Sequence, residues 1–171
     1  MSARKLYAVL VLCLAMCVAA IGQQRWVTGE YRNEALGFAV RIPRGLRGLA
    51  GDEAGPERGV QISLGSSTLV AVYGEPNSLE YKTPDEGVRD SLSNHNCHSD
   101  QPEISPARVG SLHGAKGRVV CGEQVTEEML VFRPGGGPIY WLRLEATTAH
   151  EKDDEATLSK VAAGFRLIRW R

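Results

Sequence analysis

The densest chemistry in the sequence lies at residues 94–100, Asn-His-Asn-Cys-His-Ser-Asp, which gathers two imidazoles, a thiol and a carboxylate. Zn²⁺ and Cu²⁺ accept such mixed donor sets, so His95, His98 and Asp100 are the candidate metal ligands. Neighbouring residues rarely close on one ion together, and a polar loop following a helix accounts for the same composition. Cys97 has a competing use. Cys121 is the other cysteine beyond the N-terminal segment, and in an oxidising compartment such a pair reads as a disulfide. A bridge closing a loop of this length is worth about 3–4 kcal/mol by the chain-entropy argument, and it would remove Cys97 as a metal ligand. Two free thiols are the alternative.

The other candidate groups have plain explanations. Ser66 and Ser67 follow Gly65, but the strand-turn-helix context of a nucleophile elbow is missing and they read as a hairpin turn. Gly135 to Gly137 lack the Gly-Lys-Ser/Thr that a phosphate loop requires. The acidic residues Asp153, Asp154 and Glu155 open a helix, where the macrodipole favours them; Glu127-Glu128 is a second acidic pair. Arg41, Arg44 and Arg47 are spaced to line an anion-binding rim, although solvated surface arginines are the default. His113 sits in a turn and His150 at a helix start. Trp170, between Arg169 and Arg171, reads as packing on the sheet or anchoring the tail. The sequence therefore predicts no catalytic residues and calls for no cofactor.

Compartment follows from the first 22 residues. Arg4 and Lys5 precede an uncharged apolar stretch from Leu6 to Ile21, which ends in Ala20-Ile21-Gly22. This is the pattern of a secretory signal peptide, with a retained membrane anchor as the rival. Leu12 and Met16 precede Cys13 and Cys17, where lipid-modified cysteines have a small residue. The expected organisation is a signal peptide over 1–22, a flexible leader over 23–30 and a single domain over 31–171. Export to the periplasm or the extracellular space is expected, with no membrane insertion once the signal is cleaved.

The full chain carries 20 basic and 20 acidic residues. Losing the signal takes two basic residues and no acidic one, so no net charge draws the remainder to nucleic acid or anionic lipid. At 43% hydrophobic and 6% aromatic, the core must be mainly Val, Leu, Ile and Ala, a composition that suits a sheet.

The elements can be placed by period. Phe38, Val40 and Ile42 alternate inward with Arg41 outward, ahead of Pro43. Residues 45–59 read as a surface loop. Val60 to Leu64 alternates as a strand with one wet face, and Leu69 to Tyr73 is apolar throughout, as in a central strand covered on both sides. Thr83-Pro84-Asp85-Glu86 is a helix start, with Thr83 as the cap and Glu86 closing a capping box; Val88 and Leu92 face the core. Gly117, Val119 and Cys121 share one strand face, and Lys116, Arg118 and Val120 the other. Val125 to Phe132 is a further strand, and Tyr140, Leu142, Leu144 and Ala146 line one face of another. Thr148 followed by Glu151 can start a last helix that carries Leu158, Val161 and Ala162 inward and ends at Gly164. The fold class is α/β of the α+β type: a mostly antiparallel sheet covered by helices in an α-β-α sandwich.

Two segments carry a family resemblance. Tyr31-Arg32-Asn33 through Gly37-Phe38 to Pro43 resembles the opening strand of PsbP-like proteins, and the final helix closing in Gly164-Phe165 resembles their C-terminal end. Leu46 departs from the aromatic residue common after the Pro-x-Gly turn. The resemblance implies an α-β-α sandwich from Tyr31 to about Ile168. It implies a binding or assembly role and brings no catalytic residues. The function expected is an exported non-catalytic module that binds a protein or small ligand. The alternatives are a secreted hydrolase with residues converging only in three dimensions, and a metal-binding module at His95 and His98.

Overall fold

The computed structural model describes residues 25–51, 58–65, 68–95 and 102–169. Its framework is one eight-stranded antiparallel sheet with the order β1-β4-β5-β6-β10-β9-β8-β7, and a second sheet with the order β11-β3-β2. The strands are β1 (Arg25–Val27), β2 (Glu30–Asn33), β3 (Phe38–Arg41), β4 (Gly48–Ala50), β5 (Gly59–Ser63) and β6 (Leu69–Pro76). After helix α1 (Pro84–Ser93) come β7 (Glu103–Val109), β8 (Leu112–Cys121), β9 (Gln124–Phe132) and β10 (Pro138–Thr147). Helix α2 (Glu151–Ala163) and β11 (Phe165–Leu167) end the described chain. Among the described residues no helix is long and apolar enough to cross a membrane.

Period two explains how the large sheet is layered. On its inner face Val70, Val72, Met129, Val131, Tyr140, Leu142 and Leu144 meet the small sheet and α2 in one apolar cluster, which Phe38, Val40, Leu158, Val161 and Phe165 complete. On its outer face α1 sets Val88 and Leu92 against Ala115, Val119, Leu130 and Trp141. Gly117 gives the helix its seat. A Cβ there would lie 2.5 Å from Val88 and 2.6 Å from Leu92, closer than atoms pack.

The Tyr31–Pro43 segment owes its form to Asn33. Its Oδ1 accepts the Leu36 N–H at 2.9 Å, closing the β2–β3 turn, and Gly37 takes φ 70° to complete it. Leu36 then offers its carbonyl to the Tyr140 hydroxyl at 2.8 Å, and Arg133 donates to that same hydroxyl at 2.9 Å. Phe38 packs among Tyr31, Tyr140 and Phe165, with ring centroids 5.5 to 5.8 Å away.

Several expectations need correction. Residues 25–27, expected within a flexible leader, are the edge strand β1 paired with β4. Gly48–Ala50, expected within a loop, forms that β4 partner. Strands of three residues are too short to show a period. Strand β7 went unforeseen because Pro106 interrupts it, which a sheet accepts at its edge. At the start of α2 the cap position is His150, with no side-chain cap hydrogen bond, rather than Thr148. Trp170 lies outside the described residues.

The start of α1 follows the sequence. Thr83 Oγ1 accepts the Glu86 N–H at 3.3 Å and Pro84 takes the first turn. The Glu86 carboxylate reaches back to the Lys82 N–H at 2.7 Å, one residue earlier than in the expected box. Thr83→Ala is expected to cost about 0.5–2 kcal/mol in urea unfolding; an unchanged midpoint would show that the cap contributes nothing.

Candidate functional site

Cross-strand register sets one row of side chains across the outer face of the large sheet. From β1 it runs Trp26, Leu49, Gln61, Ala71, Arg143, Glu128, Gly117 and Ile104. At the Gly117 end α1 covers the sheet. At the other end the row stays open, because a helix about 10 Å across spans only about two strand spacings of ~4.8 Å. Here the expectation for β6 is overturned: only its inner face is fully covered, and Leu69, Ala71 and Tyr73 are half-buried on the outer one. They line a cavity of about 290 Å³ with Leu49, Gln61 and the charged pair Arg143 and Glu145.

An ion pair divides the covered half from the open half. Glu128 is fully buried and its Oε1 accepts from Arg143 Nε at 2.6 Å. Its Oε2, also buried, has no hydrogen-bond partner among the described residues. Burial works against the Arg143 charge, but the groups around it, Glu128 foremost, together offset that and hold the guanidinium above its ordinary pKa. Glu145 lies 4.0 Å from Arg143 and is half exposed. Burial pushes the Tyr73 phenol up to about 12, so it remains a proton donor at neutral pH. Its ring stacks on Trp141, 6.5 Å between centroids, and the Trp141 indole donates to Glu75 at 2.7 Å.

A second cavity, about 250 Å³, continues past Glu145 along the ends of β9 and β10, where His95, Gln124, Thr126 and Thr147 line it. Of the expected metal set, only His95 is described; Cys97, His98 and Asp100 lie outside the described residues. Among the described residues no three His, Cys, Asp or Glu side chains gather as a metal site would need. His113 and His150 are exposed, at the start of β8 and before α2. Cys121 ends β8, partly buried against the Val88 and Leu92 cluster. Ser66 and Ser67 are likewise outside the description, while the Ser63–Leu69 pairing forms the expected hairpin. Gly135 to Gly137, with φ from 83° to 109°, make the β9–β10 turn.

The acidic residues read as pairs in the sequence have separate duties. Glu127 and Glu128 point to opposite sheet faces. Glu127, on the inner side, lies 3.4 Å from Lys116, which also reaches Glu155 at 3.1 Å. Burial raises the Glu127 carboxyl above its ordinary pKa, against the pull of Lys116. Arg118 pairs with Glu151 of α2. The sequence reading missed Glu128, Arg143 and Tyr73 as a set. The available signal was charge inside two largely apolar strands, Glu127 and Glu128 in β9 and Arg143 and Glu145 in β10.

Comparison with solved structures locates this architecture. The chain is similar to cyanobacterial PsbP (CyanoP) from Synechocystis sp. PCC 6803, with TM-score 0.56 and 13% identity over 86% of this chain and 95% of that one. The fold is PsbP-like. A second similar structure is LpqN, involved in cell envelope biogenesis of Mycobacterium tuberculosis, at TM-score 0.49 and 11% identity, covering 86% of this chain and 91% of that chain. No family model and no curated protein sequence matches the chain. At this identity the likeness shows the fold and says nothing of chemistry.

The Arg143–Glu128 pair is directly testable. Arg143→Met leaves a carboxylate buried without its counter-charge and is expected to cost about 3 kcal/mol in urea unfolding. Adding Glu128→Gln should restore most of that loss. Equal losses in the single and double variants would mean that the pair is not coupled.

Proposed function

We propose that this chain is an exported, non-catalytic binding module that holds its ligand in the open half of the outer sheet face. The observation that carries the reading is the cavity itself: apolar Leu49, Leu69 and Ala71 surround one guanidinium, one carboxylate and a protonated phenol. A mostly apolar recess with a few converging polar groups is the usual form of a small-molecule site. Its lining favours an amphipathic ligand, with an apolar body over Ala71 and polar groups directed at Arg143, Gln61 and Glu145. The described lining residues of both cavities include no serine or cysteine nucleophile. The hydrolase alternative needs a histidine beside a carboxylate, and His95 and Glu145 share the second cavity; the metal alternative rests on His95 and His98.

Ligand capture tests this. Ala71 is half-buried at the cavity floor, so Ala71→Trp fills the recess without entering the inner core. Protein from its exporting host should carry a small molecule visible by native mass spectrometry, and the Ala71→Trp protein should lack it at unchanged melting temperature. Capture unaffected by Ala71→Trp and abolished by His95→Ala would move the function to the second cavity.

The same reading includes cleavage after residue 22, delivery to the periplasm or the extracellular space, and a Cys97–Cys121 bridge tying the exit of α1 to β8. Support for the bridge is positional: α1 ends at Ser93, and Cys121 closes the β8 face on which α1 packs. Mass spectrometry of the denatured, unreduced exported protein should give an N-terminus near Gln23 and no alkylated thiol. An intact N-terminal segment would make it an anchor, and two alkylated cysteines would remove the bridge.

A further inference from the structure

Arginines without a carboxylate partner collect along the β1 edge. Arg41 at the end of β3, and Arg44 and Arg47 ahead of β4, are exposed around a shallow groove of about 940 Å³. Among the described residues no carboxylate pairs with any of the three. The one acid in the lining, Glu30, is already held by Arg166 at 2.9 Å and by Arg32 at 3.2 Å. Elsewhere Lys116, Arg118 and Arg143 are neutralised by glutamates. Trp26 stands beside this edge, 56% exposed, with the Arg47 guanidinium 4.2 Å from its ring centroid.

We propose that this edge docks peripherally on an anionic lipid surface, the groove arginines meeting phosphate headgroups and Trp26 resting at the interface. Two observations favour lipid over a soluble polyanion. An exposed tryptophan among arginines is the side-chain pairing suited to a membrane–water boundary, where the ring takes the apolar side and the cations the headgroups. Before any cleavage, the apolar stretch from Leu6 to Ile21 also ends four residues before Arg25. At ~3.6 Å per residue, that sets β1 within about 14 Å of it during export. The inference is independent of the ligand cavity, and after cleavage it rests on the arginines and Trp26.

The test uses residues 23–171, which contain every strand and helix described, and sedimentation with vesicles. Vesicles of phosphatidylcholine with one third phosphatidylglycerol should bind the protein, and phosphatidylcholine alone should not. Each of Arg41→Gln, Arg44→Gln and Arg47→Gln should weaken binding about fivefold, the effect of one cation near an anionic surface. The exposed Arg89→Gln on α1 should leave it unchanged. Raising the salt should release the wild-type protein, which keeps the test valid if a variant misfolds. Trp26→Phe should remove a blue shift of the fluorescence on binding. Absence of binding to the anionic vesicles, equal binding to neutral ones, or an equal loss with Arg89→Gln would each overturn the proposal. So would tight binding of heparin or duplex DNA with the vesicles left free.

Discussion

The outer face of the large sheet is organised around one buried charge. Glu128 is fully enclosed, and burying a carboxylate is costly unless a counter-charge and hydrogen bonds offset it. Arg143 supplies it from the adjacent strand, in direct cross-strand register. On one side of the pair the sheet needs an apolar cover, which α1 provides. On the other side the guanidinium keeps partial contact with water, over strands that α1 does not reach. The cavity over Ala71 therefore has that charge in its wall. An apolar pair of similar volume at 128 and 143 would stabilise as well or better, and a polar floor for a ligand is what the ionic pair adds.

The inner face obeys a different constraint. Three aromatic rings, Phe38, Tyr140 and Phe165, bring together segments far apart in the chain, and the Tyr140 hydroxyl fastens them to the Leu36 carbonyl. Arg133 extends the fastening by donating to the Gly37 carbonyl at 3.2 Å and the Ile168 carbonyl at 3.3 Å. The β2–β3 turn and the end of the described chain after β11 are thereby tied to β9 and β10. The small sheet buries Tyr31, Phe38, Val40 and Phe165 in the shared core, and these bonds fix its position.

Much of this was legible in the sequence where side chains repeat with a clear period. Phe38, Val40 and Ile42, the faces of β8 and β10, and Thr83 with Pro84 all announce their positions, because each depends on neighbours within a few residues. The two-sided cover expected for Leu69 to Tyr73 failed for a reason that periodicity cannot carry. An apolar strand face looks the same whether a helix or a cavity lies above it, and only the reach of α1 distinguishes them. The candidate site was hidden for a related cause. Arg143 and Glu128 lie in separate strands, and their meeting depends on a register that local spacing does not encode. Arg41, Arg44 and Arg47 were visible as a set, yet their lack of carboxylate partners emerged only once the glutamates had been assigned to other cations.

The two outer strands of the eight-stranded sheet have a further consequence. At one margin lies β1, three residues long; at the other lies β7, with Pro106 in its middle. A proline has no N–H to offer an incoming strand, and flanking Glu103 and Arg108 place charge beside it. A second molecule approaching in extended form finds a short ledge on one side and an interrupted ladder on the other. The sheet can therefore grow wide enough to hold both of its faces without recruiting copies of itself into fibres.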